Sequence, residues 1–112
     1  MTTQNHPYIN IALVASEDCP LCIEIIDKMT VDFQQGEGQA QVVAVSNADT
    51  HSPIMVLAKD QGLYALTDHQ DLYDPQYDIH LIIVLTPDQA VFENILQTRP
   101  NHIRILSFNV FK

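Results

Sequence analysis

Three short apolar runs constrain what this chain can fold into: YINIALVAS (8–16), QAQVVAVSN (39–47) and IHLIIVL (79–85). A strand with one wet face alternates apolar and polar side chains, whereas a near-continuous apolar run marks a strand covered on both faces. Each run reads as a buried strand. A sheet built from them needs helices on both sides.

Two intervening stretches supply helices. CPLCIEIIDKMTVDFQQ (19–35) starts with Pro20 in the first helical position, repeats Cys22, Ile25, Ile26, Met29 and Phe33 at helical spacing, and stops at GEG. SPIMVLAKDQG (52–62) carries Ser52 as cap, Pro53 in the first turn and Gly62 as stop. Residues 64–78 form a polar connector rich in Asp and Tyr. TPDQ (86–89) has a turn signature with Pro87 in the second position, which makes AVFENILQ (90–97) the partner strand of a hairpin. RPNHIRILSFNVF (99–111) reads as a final helix, with SFNVF able to run extended. The expected order is β-α-β-α-β-β-α in a single domain over residues 1–112. Its β-α units run parallel through right-handed crossovers, and the hairpin adds an antiparallel strand. The result is a mixed four-stranded sheet with helices on both faces.

Composition excludes several function classes. Fourteen acids against five bases give a formal charge of −9, and the bases (Lys28, Lys59, Arg99, Arg104, Lys112) do not cluster. Phosphate backbones and anionic membrane surfaces need a basic stripe, so neither nucleic acid nor membrane is an expected partner. No apolar run reaches bilayer length, and MTTQNHPYIN lacks the basic start and apolar core of a secretory signal. Two cysteines are too few for a disulfide scaffold. The expected location is the cytoplasm, where a lone Cys-x-x-Cys is more often catalytic or metal-binding than structural.

Both cysteines lie in EDCPLC (17–22), between the first strand and the first helix. A cysteine at a helix N-terminus faces unpaired N–H groups and the positive end of the helix dipole, which favour a thiolate. Cys22 falls one turn beyond Cys19 and can close a disulfide on it, so Cys19 is the expected attacking thiol and Cys22 the resolving one. Pro20 and Leu21 form the intervening loop. Glu17, Asp18, Glu24 and Asp27 oppose the helix terminus, so only a mild depression of the Cys19 pKa is expected. Two other readings stand beside the redox dithiol: a pair of small core residues, or part of a metal site. A structural zinc takes four ligands, and this motif supplies two.

On these residues IALVASEDCPLCIEIIDKM resembles the active-site segment of the thioredoxin superfamily. DCPLC is close to the glutaredoxin pattern Cys-Pro-Tyr-Cys, with Leu21 in the aromatic position. VVAVSNADTHSPIMVLAKDQGLYALTDHQDLYDPQYDIHLIIVLTPDQAVFENI resembles the peroxiredoxin and TlpA-like thiol–disulfide reductase branch. The resemblance implies a thioredoxin fold. It also locates three departures. His80 takes the place of the cis-proline that faces the dithiol in that superfamily. Leu13 takes the place of its buried acid. The peroxiredoxin peroxide motif, with its neighbouring Arg, is absent.

The leading expectation is therefore a thiol–disulfide oxidoreductase acting on a protein or small-molecule disulfide. Asp18 and His80 flank the dithiol, and no cofactor or resident metal is required. Two alternatives come from other classes. One is a peroxiredoxin- or thioredoxin-like module that has lost turnover and serves in binding or regulation, with a homodimer as a possible assembly. The other is a metal-binding dithiol using Cys19, Cys22 and His80. His6, His51, His69 and His102 read as solvated positions, and the acidic run Asp68, Asp71, Asp74, Asp78 as a solvated loop without the glycine and terminal Glu of a calcium loop.

Overall fold

The computed structural model describes residues 9–15, 23–28, 40–86 and 88–107. The strands are β1 (Ile9–Val14), β2 (Ala40–Ser46), β3 (Tyr64–Leu66), β4 (Leu81–Val84) and β5 (Arg104–Ser107). The helices are α1 (residues 23–28), α2 (Pro53–Asp60) and α3 (Gln89–Thr98). Two 3-10 segments, His69–Tyr73 and Pro75–Tyr77, lie between β3 and β4.

The five strands form one sheet in the order β3-β2-β1-β4-β5, and every pairing is parallel. This overturns the expected thioredoxin fold, whose sheet is mixed and four-stranded. The correction lies in the last third of the chain. Residues 90–97 are not a hairpin strand: they belong to α3. Asp88 accepts a hydrogen bond from the Ala90 N–H and Thr86 Oγ1 accepts one from the Asp88 N–H, so TPDQ is a helix start and not a hairpin turn. Val91, Phe92 and Ile95 then fall on one helical face. Residues 99–111 are not a helix over their described part. Pro100 follows the C-cap Arg99, its carbonyl accepts from the Ile103 N–H, and β5 begins at Arg104. The fifth strand, β3, sits within the stretch expected to be a plain connector.

Side chains of the central strands alternate between two cores. Ile11 and Leu13 of β1 pack with Ile26 of α1 and Ile54, Met55 and Ala58 of α2. Ala12 and Val14 pack on the other face with Leu72, Ile79, Ile82, Ile95 and Ile103. The β1–β2 register slips between Ile11 and Ala12, where Ile11 pairs Val42 but Ala12 pairs Ala44. The extra residue in β2 is a bulge that lets Val43 and Ala44 both contribute to the α3-side core.

Local chemistry sets the boundaries. Ser52 caps α2 through the Met55 N–H, with Pro53 in the first turn. Its C-terminus is a Schellman motif: the Gly62 N–H reaches Lys59 O at 3.1 Å and the Leu63 N–H reaches Ala58 O at 2.8 Å. Gly62 has φ +77°, and a Cβ there would meet nothing within 4 Å. The acidic run also has a structural use. Asp68 and Asp74 cap the two 3-10 segments by accepting from the Gln70 and Gln76 N–H groups, and Asp78 takes a left-handed conformation at φ 52°.

Because the space around Gly62 is open, only its backbone conformation resists substitution. Gly62→Ala should destabilise the protein by about 1–2 kcal/mol, and Gly62→Asn by less, in urea unfolding followed by circular dichroism. Equal losses for both would mean that sterics and not the left-handed φ set the cost.

Candidate functional site

In a doubly wound parallel sheet, ligands bind outside the carboxyl ends of the strands, where successive connections leave for opposite faces. Here that point lies between β1 and β4. The chain leaves β1 towards α1 and leaves β4 towards α3, and these two helices pack on opposite faces. The ladder runs to the rim on both sides of β1: the Ala15 N–H donates to Ser46 O at 2.9 Å, and the Leu85 N–H to Val14 O at 2.8 Å.

At this rim, on the α3 side, lies an open crevice of about 290 Å³. Its described walls come from the ends of β1 to β4: Val14 and Ala15 at the end of β1, Ser46, Asn47, Ala48 and Asp49 at the end of β2, Thr67 and His69 after β3, and Thr86, Asp88 and Val91 between β4 and the first turn of α3. The volume is at the lower end for small-molecule sites, and the mixture of an apolar floor with a few polar groups is typical of them.

Its rim is held by side chains that cap their own loops. Asn47 is buried; its Oδ1 accepts from the Asp49 N–H at 3.0 Å and its Nδ2 donates to Ser52 Oγ at 3.2 Å. Asp49 Oδ1 accepts from the His51 N–H at 2.9 Å. Asn94 Oδ1 accepts from the Gln70 amide at 3.1 Å and from His69 Nε2 at 2.8 Å. An amide oxygen only accepts, so His69 Nε2 is the donor in that bond. Asp49 and Asp88 both line the crevice, and among the described residues no Lys or Arg does.

The residues singled out from the sequence distribute differently. Asp18, Cys19, Pro20, Leu21 and Cys22 lie outside the described residues. His80 lies just before β4, at the amino edge of the sheet. Its Nδ1 accepts from the Asn10 N–H at 2.9 Å, and its Nε2 stands 3.6 Å from Asp78 Oδ1. Asn10 also donates to Asp78 O and accepts from the Gln41 amide. His80 thus ties β1 to β4 at that edge. From Asn10 to Ala15, where the segment bearing the cysteines departs, β1 advances about 16 Å. The structure brings His80 together with Asn10 and Asp78, not with that point of departure. Among the described residues no group of three His, Cys, Asp or Glu side chains could hold a metal ion, and no helix is long and apolar enough to cross a membrane.

Sequence reasoning passed over the crevice residues, although a signal was there. Three strands end in Ser or Thr followed within three residues by Asp: Ser46-Asn47-Ala48-Asp49, Thr67-Asp68 and Thr86-Pro87-Asp88. Asp68 and Asp88 cap the helical segments that follow, Asp49 closes the loop before the Ser52 cap, and in a parallel sheet such turns gather at one edge.

No protein-family model, curated protein or solved structure matches the chain.

Asn47 joins the end of β2 to the cap of α2, so its loss removes the bond from the Asp49 N–H and the buried bond to Ser52 Oγ. Asn47→Ala should cost about 1–3 kcal/mol in urea unfolding. A double-mutant cycle with Ser52→Ala should return a coupling of at least about 0.5 kcal/mol. Additive losses would place the two side chains in separate roles.

Proposed function

We propose that this protein is a thiol–disulfide oxidoreductase working at the carboxyl edge of its sheet, with a protein or small-molecule disulfide as substrate. The observation that carries the reading is the pair of described residues bracketing Cys19-x-x-Cys22. Ala15, in the crevice wall, precedes the motif, and Ile23, the first described residue of α1, follows it. A dithiol between a strand end and a helix start is where backbone N–H groups and the helix dipole stabilise a thiolate.

The exchange has two displacements. The Cys19 thiolate attacks one sulfur of the substrate disulfide, forms a mixed disulfide and expels the other sulfur as a thiolate. The Cys22 thiolate then attacks Cys19 Sγ and expels the second substrate thiolate. Substrate gains two electrons and two protons as two thiols, and the protein is left with a Cys19–Cys22 disulfide. A dithiol reductant closes the cycle by the reverse sequence. The reading suits the cytoplasm, where a dithiol is kept reduced between turnovers. Because His80 is tied to Asn10 and Asp78, the first displacement draws on the loop itself and not on that imidazole.

Titration in glutathione buffers, with thiols counted by alkylation and mass spectrometry, tests this. The expected result is a single two-electron transition that removes both thiols together. Cys22→Ser should trap the mixed disulfide on Cys19, and Cys19→Ser should abolish turnover of an insulin or glutathione-adduct disulfide. Two native thiols that neither oxidise nor alkylate would overturn the reading.

A further inference from the structure

We propose that the crevice between the ends of β1, β2, β3 and α3 binds a small organic cation, an alkylamine or alkylguanidine, with its charged head between Asp49 and Asp88. The assignment uses neither Cys19 nor Cys22 and stands apart from the dithiol reading.

Four observations carry it. The first is the cavity itself, about 290 Å³ and open, at the topological switch of a parallel sheet. The second is Ser46. It is only 3% exposed, it lies on the same side of β2 as Ala44, and it lines the crevice. A hydroxyl so placed can pair with a polar group of a ligand in the crevice.

The third observation is the sign of the lining. Asp49 and Asp88 each commit Oδ1 to a backbone N–H and have Oδ2 left to accept. Acceptors call for a donor-rich guest. An ammonium brings three donors and a guanidinium five. The fourth is what the site withholds from anions. Phosphate-binding crevices of doubly wound sheets use a glycine-rich turn and free amides at a helix N-terminus. Here the Ala90 N–H at the start of α3 is already taken by Asp88, the Met55 N–H of α2 by Ser52, and the Gln70 N–H by Asp68. The chain's formal charge of −9 adds to the exclusion. Val14, Ala15, Ala48 and Val91 give the alkyl part of the guest an apolar surface.

The test is a titration of the ¹⁵N-labelled full chain with agmatine in 0.15 M salt, with inorganic phosphate as the anionic counterpart. Saturable shifts centred on Ala15, Ser46, Asn47, Asp49, His69 and Asp88, with phosphate silent, are the expected result. Asp49→Asn with Asp88→Asn removes both charges yet keeps both caps, since Asn caps as well as Asp. It should weaken agmatine binding by at least about tenfold while leaving the amide spectrum folded. Ser46→Ala should weaken it several-fold, about the worth of one hydrogen bond. The same titration of Cys19→Ser/Cys22→Ser should be unchanged, which separates failure of this site from failure of the dithiol chemistry. The proposal falls if agmatine produces only unsaturable shifts spread over the exposed acids Asp60, Asp71 and Glu93. It also falls if phosphate competes for the same amides, or if the double Asn variant binds as tightly as the parent.

Discussion

Everything in this structure depends on the position of β1. It is hydrogen-bonded along both sides, to β2 and to β4, and its residues from Ile11 onward are buried on both faces. A strand with no free edge and no wet face can be stable only if every backbone group finds a ladder partner and both sheet faces find helices. That double demand sends α1 and α2 to one face and the 3-10 segments with α3 to the other. It also makes the connections leaving β1 and β4 diverge. The crevice at the carboxyl edge is the space left by that divergence, so the same packing requirement that fixes the core creates the candidate site.

Much of the first half was legible because its signals are local. The runs at 8–16 and 39–47 contain β1 and β2, and Ser52, Pro53 and Gly62 mark α2 within two residues of its bounds. The second half misled because its period is ambiguous. AVFENILQ has Val91, Phe92, Ile95 and Leu96, a spacing that partly fits a strand and fully fits a helix. The arbiter is the carboxylate of Asp88 on the Ala90 N–H. β3, at three residues, is too short to show a period at all and exists because β2 presents a ladder for it. Once α3 is a helix, β5 must return to the sheet by a crossover, and the all-parallel order follows. The site was legible in a different way. Cys19 and Cys22 stand out by chemistry, whereas Ser46 with Asp49, His69 and Asp88 come from three separate parts of the sequence and meet only through topology.

The two functional readings share an edge and Ala15 but rest on different reactive groups. Dithiol exchange asks for a strand-to-helix junction. Cation binding asks for acceptors around an apolar floor, with anion-binding amides already occupied. A protein meeting both demands at one edge could hold a positively charged substrate beside a reactive sulfur, although neither reading requires the other. His80 sits outside both, as a fastener of the amino edge, where its imidazole substitutes for a missing backbone acceptor to the Asn10 N–H.

The β1–β4 pairing has a further consequence, for how the chain reaches this state. Ile11 pairs with Leu81, far along the sequence, whereas β2 joins β1, and β3 joins β2, across shorter separations. Closing that longer loop comes at an entropic cost before any ladder bond rewards it, so the sheet's two halves form on different timescales. A nascent or partly folded chain that has assembled only β1, β2 and β3 carries β1, an inner strand of the native sheet, as a bare edge. Such an edge accepts any extended segment that reaches it first, including β4 of another copy. Yield on refolding should therefore fall with protein concentration more steeply than native stability alone would suggest.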